Sequence, residues 1–264
     1  MKIVVCIKQV PDEKTVRFDP EKGTLIREGT AAVINPLDLH ALEAGVQLRE
    51  AVGGEVIAVS MGPPQAEEAL REAISRGADR GVLLSDRAFA GADTLATTYA
   101  LHLAVGRLGP VDVVLCGRQT SDGDTAQVGP GLAARMDVPC VAGVTRVEPV
   151  DGGAALRVHR PREGGYDVVQ VRLPCVLTVA AELNSPRVPS LKGKMAAKKA
   201  EIPVWTGADL GADPGRLGMA GSPTRVVETF VPSFDARREM LEGSPEAQVE
   251  ALLERLRAAG VLAR

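Results

Sequence analysis

The chain has 264 residues, 45% of them hydrophobic and 25% charged, with a formal charge of −3, which is ample apolar material for a packed core. The lack of a basic excess, together with one Trp, two Tyr and four Phe, argues against nucleic-acid binding. No apolar run reaches the ~18 residues that span a bilayer, and the opening MKIVVCIKQV has one lysine ahead of a strand-length segment rather than a signal peptide, so the expectation is a cytoplasmic protein with no direct membrane insertion.

The first two thirds alternate strand and helix patterns at the spacing of a doubly wound, mostly parallel sheet. Lys2 to Ile7 reads as a buried strand and is followed by KQVPDEKTVRFDPEKGTLIREG, a short excursion or hairpin bounded by Pro11, Pro20 and Gly29. The segment INPLDLHALEAG opens a helix over Pro36 to Val52, with Asn35 placed to cap it and Pro36 in the first turn. A strand over Glu55 to Ser60 ends in the turn Met61, Gly62, Pro63 and Pro64, which leads into a helix over Pro64 to Arg76. The strand Gly81 to Ser85 ends in SDRAFAGADTLA, where Asp86, Arg87, Phe89 and Gly91 precede a helix over Asp93 to Leu108. Val111 to Leu115, a helix over Ala126 to Met136 and the strand Cys140 to Val144 complete the alternation. Ala155 to His159 and Asp167 to Leu173 then flank a PREGG turn, as an antiparallel hairpin added to the sheet would, and PCVLTVAAEL returns as a buried strand.

The C-terminal part departs from this rhythm. LNSPRVPSLKGKMAAKKAEIPVW carries Pro186, Pro189 and Pro203 among Arg187, Lys192, Lys194, Lys198 and Lys199; it reads as a basic, exposed arm of little regularity, either a solvated loop or a docking arm. From Ala212 a GSP-containing linker leads to a final helix over Pro245 to Ala259. Cys6, Cys116, Cys140 and Cys175 lie in or beside strand-like runs and read as small buried hydrophobes. With no CxxC pair and with His40, His102 and His159 isolated, no metal site is expected.

Ligands of such sheets gather at the carboxyl ends of the strands, and the stretch CGRQTSDGDTAQVGPG, Cys116 to Gly131, has the composition of an anion cradle at such an end. Gly117 and Gly123 permit close backbone approach and positive φ, Asp124 or Thr125 can cap the following helix, and the first free N–H groups of that helix point into the loop. Arg118, Gln119, Thr120, Ser121, Thr125 and Gln127 add side-chain donors that an ordinary turn does not need. A phosphate or pyrophosphate suits it, and Arg118 can pair with phosphate in bidentate fashion or stabilise an anionic ring. Asp122 and Asp124 could act as acid and base, but two carboxylates in a turn beside hydroxyls more often cap a helix, hold a ribose or bind a metal. No nucleophile elbow, Walker lysine, HExxH or GxGxxG occurs, so no catalytic side chain is assigned.

Taken in order, KIVVCIKQVPD, INPLDLHALEAG, SMGPPQAEEALREAISRGAD, GRQTSDGDTAQVGP and SPRVPSLKGKMAAKKAEI resemble the beta (small) subunit of electron-transfer flavoproteins over essentially the whole chain. The resemblance implies an adenine nucleotide alpha hydrolase-like α/β domain over 1–183 that binds FAD or another nucleotide, and a partner-recognition loop and C-terminal arm over 184–264. It also implies a heterodimer with an FAD-carrying alpha subunit. By motif the crevice uses Cys6, Asn35, Pro36, Leu37, Asp38, Met61 and the loop Gly117, Arg118, Gln119, Thr120, Ser121, Asp122, Gly123, Asp124, Thr125, Ala126 and Gln127.

The family divides by occupant. In the housekeeping type the beta site holds AMP and electrons pass from acyl-CoA dehydrogenases to a quinone reductase through the alpha FAD. In the bifurcating type it holds a second FAD, reduced by NADH, and electrons divide between ferredoxin or flavodoxin and an acyl-CoA dehydrogenase. SDRAFAGADTLAT and GDTAQVGP are similar to the bifurcating type, so FAD is expected here, with NADH approaching near Gly62, Pro63, Asp86, Arg87, Phe89 and Gly91. The resemblance further implies that Leu191 anchors the partner dehydrogenase, with Arg187, Lys192 and Lys194 around it steering the encounter. A non-redox adenine-nucleotide sensor of the same fold is the alternative from another functional class.

Overall fold

The structure is a computed structural model that describes residues 1–12, 17–19, 24–26, 31–227 and 238–262. In chain order the elements are β1 (Lys2–Cys6), β2 (Gln9–Pro11), β3 (Arg17–Asp19), β4 (Thr24–Ile26), β5 (Ala32–Ile34), α1 (Pro36–Val52), β6 (Glu55–Met61), α2 (Glu67–Ser75), β7 (Arg80–Leu84), α3 (Thr94–Arg107), β8 (Val113–Gly117), α4 (Val128–Met136), β9 (Cys140–Val144), β10 (Arg146–Val150), β11 (Ala155–Arg162), β12 (Gly165–Arg172), β13 (Cys175–Val179), α5 (Leu191–Lys199), β14 (Val204–Trp205) and α6 (Pro245–Ala258). Seven strands form one parallel sheet in the order β14-β7-β6-β1-β8-β13-β9. Within the excursion after β1, β2 pairs with β5 and β3 with β4, each antiparallel; Pro20 and Gly29 lie outside the described residues.

The strands read as near-continuous apolar runs because both faces are covered. Alternate residues enter two cores: Ile3, Val5, Val56 and Ala58 pack under α1 and α2 with Leu42, Val46 and Leu70, and Val4, Ile57, Val59 and Val114 pack under α3 and α4 with Tyr99, Leu101 and Leu132. Each fully buried branched side chain contributes about 1.5–3 kcal/mol against solvent exposure. The sheet turns outward in both directions from β1: α1 carries the chain to β6 on one side, and β8 lies on the other. The crevice beyond β1 and β8 is therefore the topological switch point, where two crossovers diverge and leave a cleft.

Several expectations need correction. The hairpin β11–β12 does not join the main sheet; β10 pairs with β11 from Arg146↔His159 to Val150↔Ala155, and the three strands form their own sheet, with Leu156, Val158 and Val171 adding to the α1 core. The segment expected to be an irregular basic arm contains α5. The Ser190 hydroxyl accepts the Gly193 N–H at 2.9 Å to start it, Lys198 and Lys199 suit its C-terminal dipole, and Arg71 of α2 donates to the Ala197 carbonyl at 2.6 Å. Nor is the chain after Ala212 a simple linker. The Asp213 N–H donates to the Tyr99 hydroxyl at 3.0 Å and Leu217 is buried in the α3 core. By its contacts the chain divides into two units, Met1–Val227 and Glu228–Arg264. The second unit contains α6, started by the Ser244 hydroxyl. Cys6, Cys116 and Cys175 are buried as expected, but Cys140 is exposed because β9 is an edge strand. Among the described residues no helix is long and apolar enough to cross a membrane.

Candidate functional site

The carboxyl ends of β1 and β8 are bound together by the first turn of α1. Asp38, 4% exposed, accepts the Lys8 N–H on Oδ2 at 2.8 Å and the Gly117 N–H on Oδ1 at 3.1 Å. Burial pushes its carboxyl up to about 7, against the lowering pull of these donors and of Asn35. Gly117 is required for this closure by space and not by φ: a Cβ there would lie 2.4 Å from Asp38 Oδ1 and 2.9 Å from the Leu37 carbonyl carbon. Cys6, at the end of β1, is buried beside Cys116.

Asn35 precedes α1 but does not cap it. Its side chain, 1% exposed, instead donates from Nδ2 to the Gln119 carbonyl at 3.0 Å and accepts the Ser121 N–H on Oδ1 at 3.1 Å. A residue more than eighty positions away therefore fixes the start of the loop. Pro36 occupies the first helical position, where a missing N–H costs nothing, and Leu37 packs against Gly117.

The rest of the loop is held at a few points and open elsewhere. Lys8 Nζ pairs with Asp122 at 2.7 Å; burial raises the Asp122 carboxyl, but hydrogen bonds from Lys8 and Thr120 override it and hold the group below its ordinary value. Arg118 Nε donates to Gln119 Oε1 at 2.9 Å, Gln119 Nε2 donates to Asp124, and the Thr94 hydroxyl donates to Gln127 Oε1 at 2.7 Å. Positive φ falls at Asp124 (52°) and Ala126 (55°), not at Gly117 or Gly123. Ala126 is followed by Gln127 in the right-handed region (φ −98°, ψ −22°), and such an alternation turns successive N–H groups toward one side as an anion-binding nest.

The helix α4 begins at Val128, two residues later than expected, and neither Asp124 nor Thr125 caps it. The Val128 and Gly129 N–H groups thus stand at an uncapped helix N-terminus, and Pro130 contributes no third donor. Gly129 lets this turn press against β13, since a Cβ there would meet Thr178 Cγ2 at 2.2 Å. Small residues, two positive-φ positions and an uncapped helix N-terminus make Thr125 to Gly129 the kind of backbone that receives an oxyanion.

Met61 ends β6 and Gly62 follows it, with the Gly62 N–H donating to the Leu84 carbonyl at 3.0 Å, and Pro63 is exposed. Beyond β7, Asp86 accepts the Ala88 N–H at 3.0 Å and the Gly207 N–H at 3.0 Å, bonds that hold its carboxyl below the usual range. Phe89 is buried in the α3 core, Gly91 has φ 71° against Met219, and Arg87 is exposed. Met61 to Pro63 lie one strand from β1 and Asp86 to Gly91 two strands from it, on the same edge of the sheet, and Asp86 and Phe89 are committed to the chain's own packing.

On α5, Leu191 is 78% exposed, and with Lys192, Met195, Ala196 and Lys199 it lines a groove of about 410 Å³. Lys194 is exposed as well. Arg187 instead faces inward: it forms paired bonds to Glu43 (2.8 and 3.0 Å) and to Glu50 (2.7 and 3.0 Å). Sequence reasoning missed the roles of Lys8 and Glu43; Lys8's position directly after β1 was the available signal, whereas nothing local marks Glu43.

Comparisons with known proteins agree with this geometry. The electron transfer flavoprotein domain profile matches residues 22–210. The chain is 49% identical over 263 residues to an electron transfer flavoprotein subunit beta of Thermoanaerobacterium thermosaccharolyticum, covering 99% of this chain and 100% of that one. It is 46% identical over 260 residues to Protein FixA of Azorhizobium caulinodans (96% and 92% covered), and 46% identical over 254 residues to the caffeyl-CoA reductase-Etf complex subunit CarD of Acetobacterium woodii (96% of each). With these matches and an α/β fold whose crevice lies beyond β1 and β8, the chain belongs to the electron transfer flavoprotein family, on the side of its beta subunits.

Proposed function

We propose that this chain is the beta subunit of a heterodimeric, electron-bifurcating electron transfer flavoprotein and that its crevice holds FAD. In this reading electrons from NADH divide there, one toward ferredoxin or flavodoxin and one through the alpha-subunit FAD toward an acyl-CoA dehydrogenase. The observation that carries it is the loop Gly117 to Gly129: a nest at Ala126–Gln127, an uncapped α4 N-terminus and the side chains of Arg118, Thr120, Ser121 and Thr125, all beyond the switch point. These donors fit a diphosphate, and the absence of large side chains at Gly123, Thr125 and Ala126 leaves room for a dinucleotide. The membership of one relative in a CoA-thioester reductase complex, by its name, supports the same reading.

Bound FAD would supply hydride acceptance and one-electron transfer. The chain's own residues bind and orient: Asn35 and Asp38 fix the two strand ends, the backbone from Thr125 to Gly129 holds the diphosphate, and Arg118, whose guanidinium has Gln119 as its one partner among the described residues, lies open to anionic groups. Met61 to Pro63 and Arg87 to Gly91 border the approach for nicotinamide. Leu191 anchors the dehydrogenase.

The test is to extract and weigh the nucleotides of the purified heterodimer. Two FAD per pair is the expected result; one FAD with one AMP would replace bifurcation by the housekeeping role, and a colourless monomer would point to a sensor. Because Arg118 touches little else in the fold, Arg118→Ala should halve the flavin content while the alpha flavin stays. Unchanged stoichiometry would overturn the site assignment.

A further inference from the structure

Away from the crevice, on the α3 and α4 side of the sheet, two guanidinium groups share one tyrosine. Arg216 Cζ lies 4.0 Å from the centroid of the buried Tyr99 ring and Arg135 Cζ lies 5.5 Å from it, a cation–π arrangement that holds both in place. Arg135 uses Nε on the Thr98 hydroxyl (3.0 Å) and Nη2 on the Leu95 carbonyl (2.8 Å), which leaves Nη1 free. Among the described residues the Arg216 guanidinium donates to no protein acceptor, and neither guanidinium meets a carboxylate.

Among the described residues the surroundings supply no counter-charge. His102, one turn along α3, has a buried Nδ1 with no partner. Burial, then Arg135 and Arg216, hold its imidazole below the ordinary value, and burial together with Arg216 does the same to Arg135. Like charges gathered at a partly desolvated place cost free energy that a counter-charge would return. They border a cavity of about 560 Å³ whose other walls include Leu95, Gly221, Ser222 and Pro223. The wall is braced: the Ser222 hydroxyl accepts the Asp93 N–H at 2.8 Å and donates to the Gly218 carbonyl at 2.6 Å. Apolar side chains among these walls are also open to water, at Leu95 (51% exposed) and Pro223.

We propose that this cavity is the socket for an aspartate or glutamate side chain of the partner subunit, gripped between Arg216 and Arg135. Two planar forks, one already stacked on an aromatic ring, match a carboxylate with little loss of side-chain entropy. A free inorganic anion would use the guanidinium groups and leave the apolar wall at Leu95 and Pro223 in water, whereas a protein surface covers both, and arginine beside apolar side chains is the composition of an interface core. The inference rests on the heterodimer reading above, and its test reads assembly, not flavin.

Arg216 is the residue to change, because among the described residues its guanidinium meets the Tyr99 ring and no hydrogen-bond acceptor, whereas Arg135 links α3 to α4. The alpha–beta dissociation constant is measured by sedimentation for wild type, Arg216→Ala and Arg216→Glu at low and high salt. Truncation of a desolvated, hydrogen-bonded charge pair predicts weakening by about 30-fold or more for Arg216→Ala and more still for Arg216→Glu, with a shallower salt dependence in both variants. An Arg216→Glu chain that pairs as tightly as wild type would overturn the inference. So would a thermal shift on adding inorganic phosphate to the isolated wild-type chain that is lost in Arg216→Ala, because it would assign the cavity to a free anion. A wild-type chain that never pairs would overturn the heterodimer reading and this inference with it.

Discussion

Replacing Gly117 by alanine tests whether the crevice depends on the close passage of β8 under α1. The new Cβ would lie 2.4 Å from Asp38 Oδ1 and 2.9 Å from both the carbonyl carbon and the Cβ of Leu37, where non-bonded carbons prefer about 3.5–4.0 Å. The side-chain oxygen could move, but the Leu37 backbone belongs to the first turn of α1, whose residues Leu42 and Val46 are locked into the core. Either α1 lifts or the end of β8 bends away. Overpacking of this kind costs about 1–3 kcal/mol, and loss of the bond from the Gly117 N–H to the Asp38 carboxyl adds about 1–2 kcal/mol. The sum, about 3 kcal/mol, corresponds to a fall in Tm of roughly 6–12 °C for a domain of this size. Gly123→Ala is the control, because its Cβ would meet only Thr120 Oγ1 at 3.6 Å; it should stay within about 0.5 kcal/mol of wild type. Scanning calorimetry gives both numbers, and nucleotide content should follow them, depleted in Gly117→Ala and kept in Gly123→Ala. Equal Tm values for the two variants would refute the steric argument.

Three further outcomes follow from the same contacts. Because burial raises the folded pKa of Asp38 to about 7, the folded chain retains a proton that the unfolded chain has lost between pH ~4 and ~7. Stability should therefore fall through that window, by at most about 1.4 kcal/mol per pH unit, and Asp38→Asn should flatten the profile; parallel profiles for the two proteins would count against the assignment. Removing the guanidinium in Arg187→Ala leaves Glu43 buried without its ion partner, at a cost of about 2 kcal/mol once the partial exposure of Arg187 is allowed for. Burial raises Glu43, but its bonds to Arg187 hold it below the ordinary value, and the same guanidinium lowers Glu50. The wild-type advantage is thus complete above the unfolded-state pKa of ~4.3 and shrinks as pH falls below it, so a deficit unchanged at acidic pH would disprove the ion-pair origin. Leu191→Ala, at a side chain 78% exposed, should change stability by less than about 0.5 kcal/mol while slowing electron exchange with the dehydrogenase; unaltered exchange rates would remove Leu191 as the anchor.

What the sequence determined by itself was whatever depends on near neighbours. Apolar β-branched runs buried on both faces marked β1, β6, β7, β8 and β13, the helical repeats between them marked the crossovers, and the crowding of glycines and hydroxyls from Gly117 to Gln127 marked the candidate site. Tertiary structure decided the rest, because the deciding contacts join residues far apart in the chain. Asn35 looked like a helix cap and became the clamp on Gln119 and Ser121, since folding brings a free carbonyl and a free N–H of the loop to its amide. Prolines and lysines hid α5, which forms where Ser190 caps it and α2 supplies a surface to pack on. Arg187 was read as a docking residue, yet its charge is spent on Glu43 and Glu50, some 140 positions earlier. Arg135 and Arg216 converge on Tyr99 with no local signal at all. A period of two or 3.6 residues records which face is buried; which distant charge or amide waits on that face is set only when the sheet order is complete.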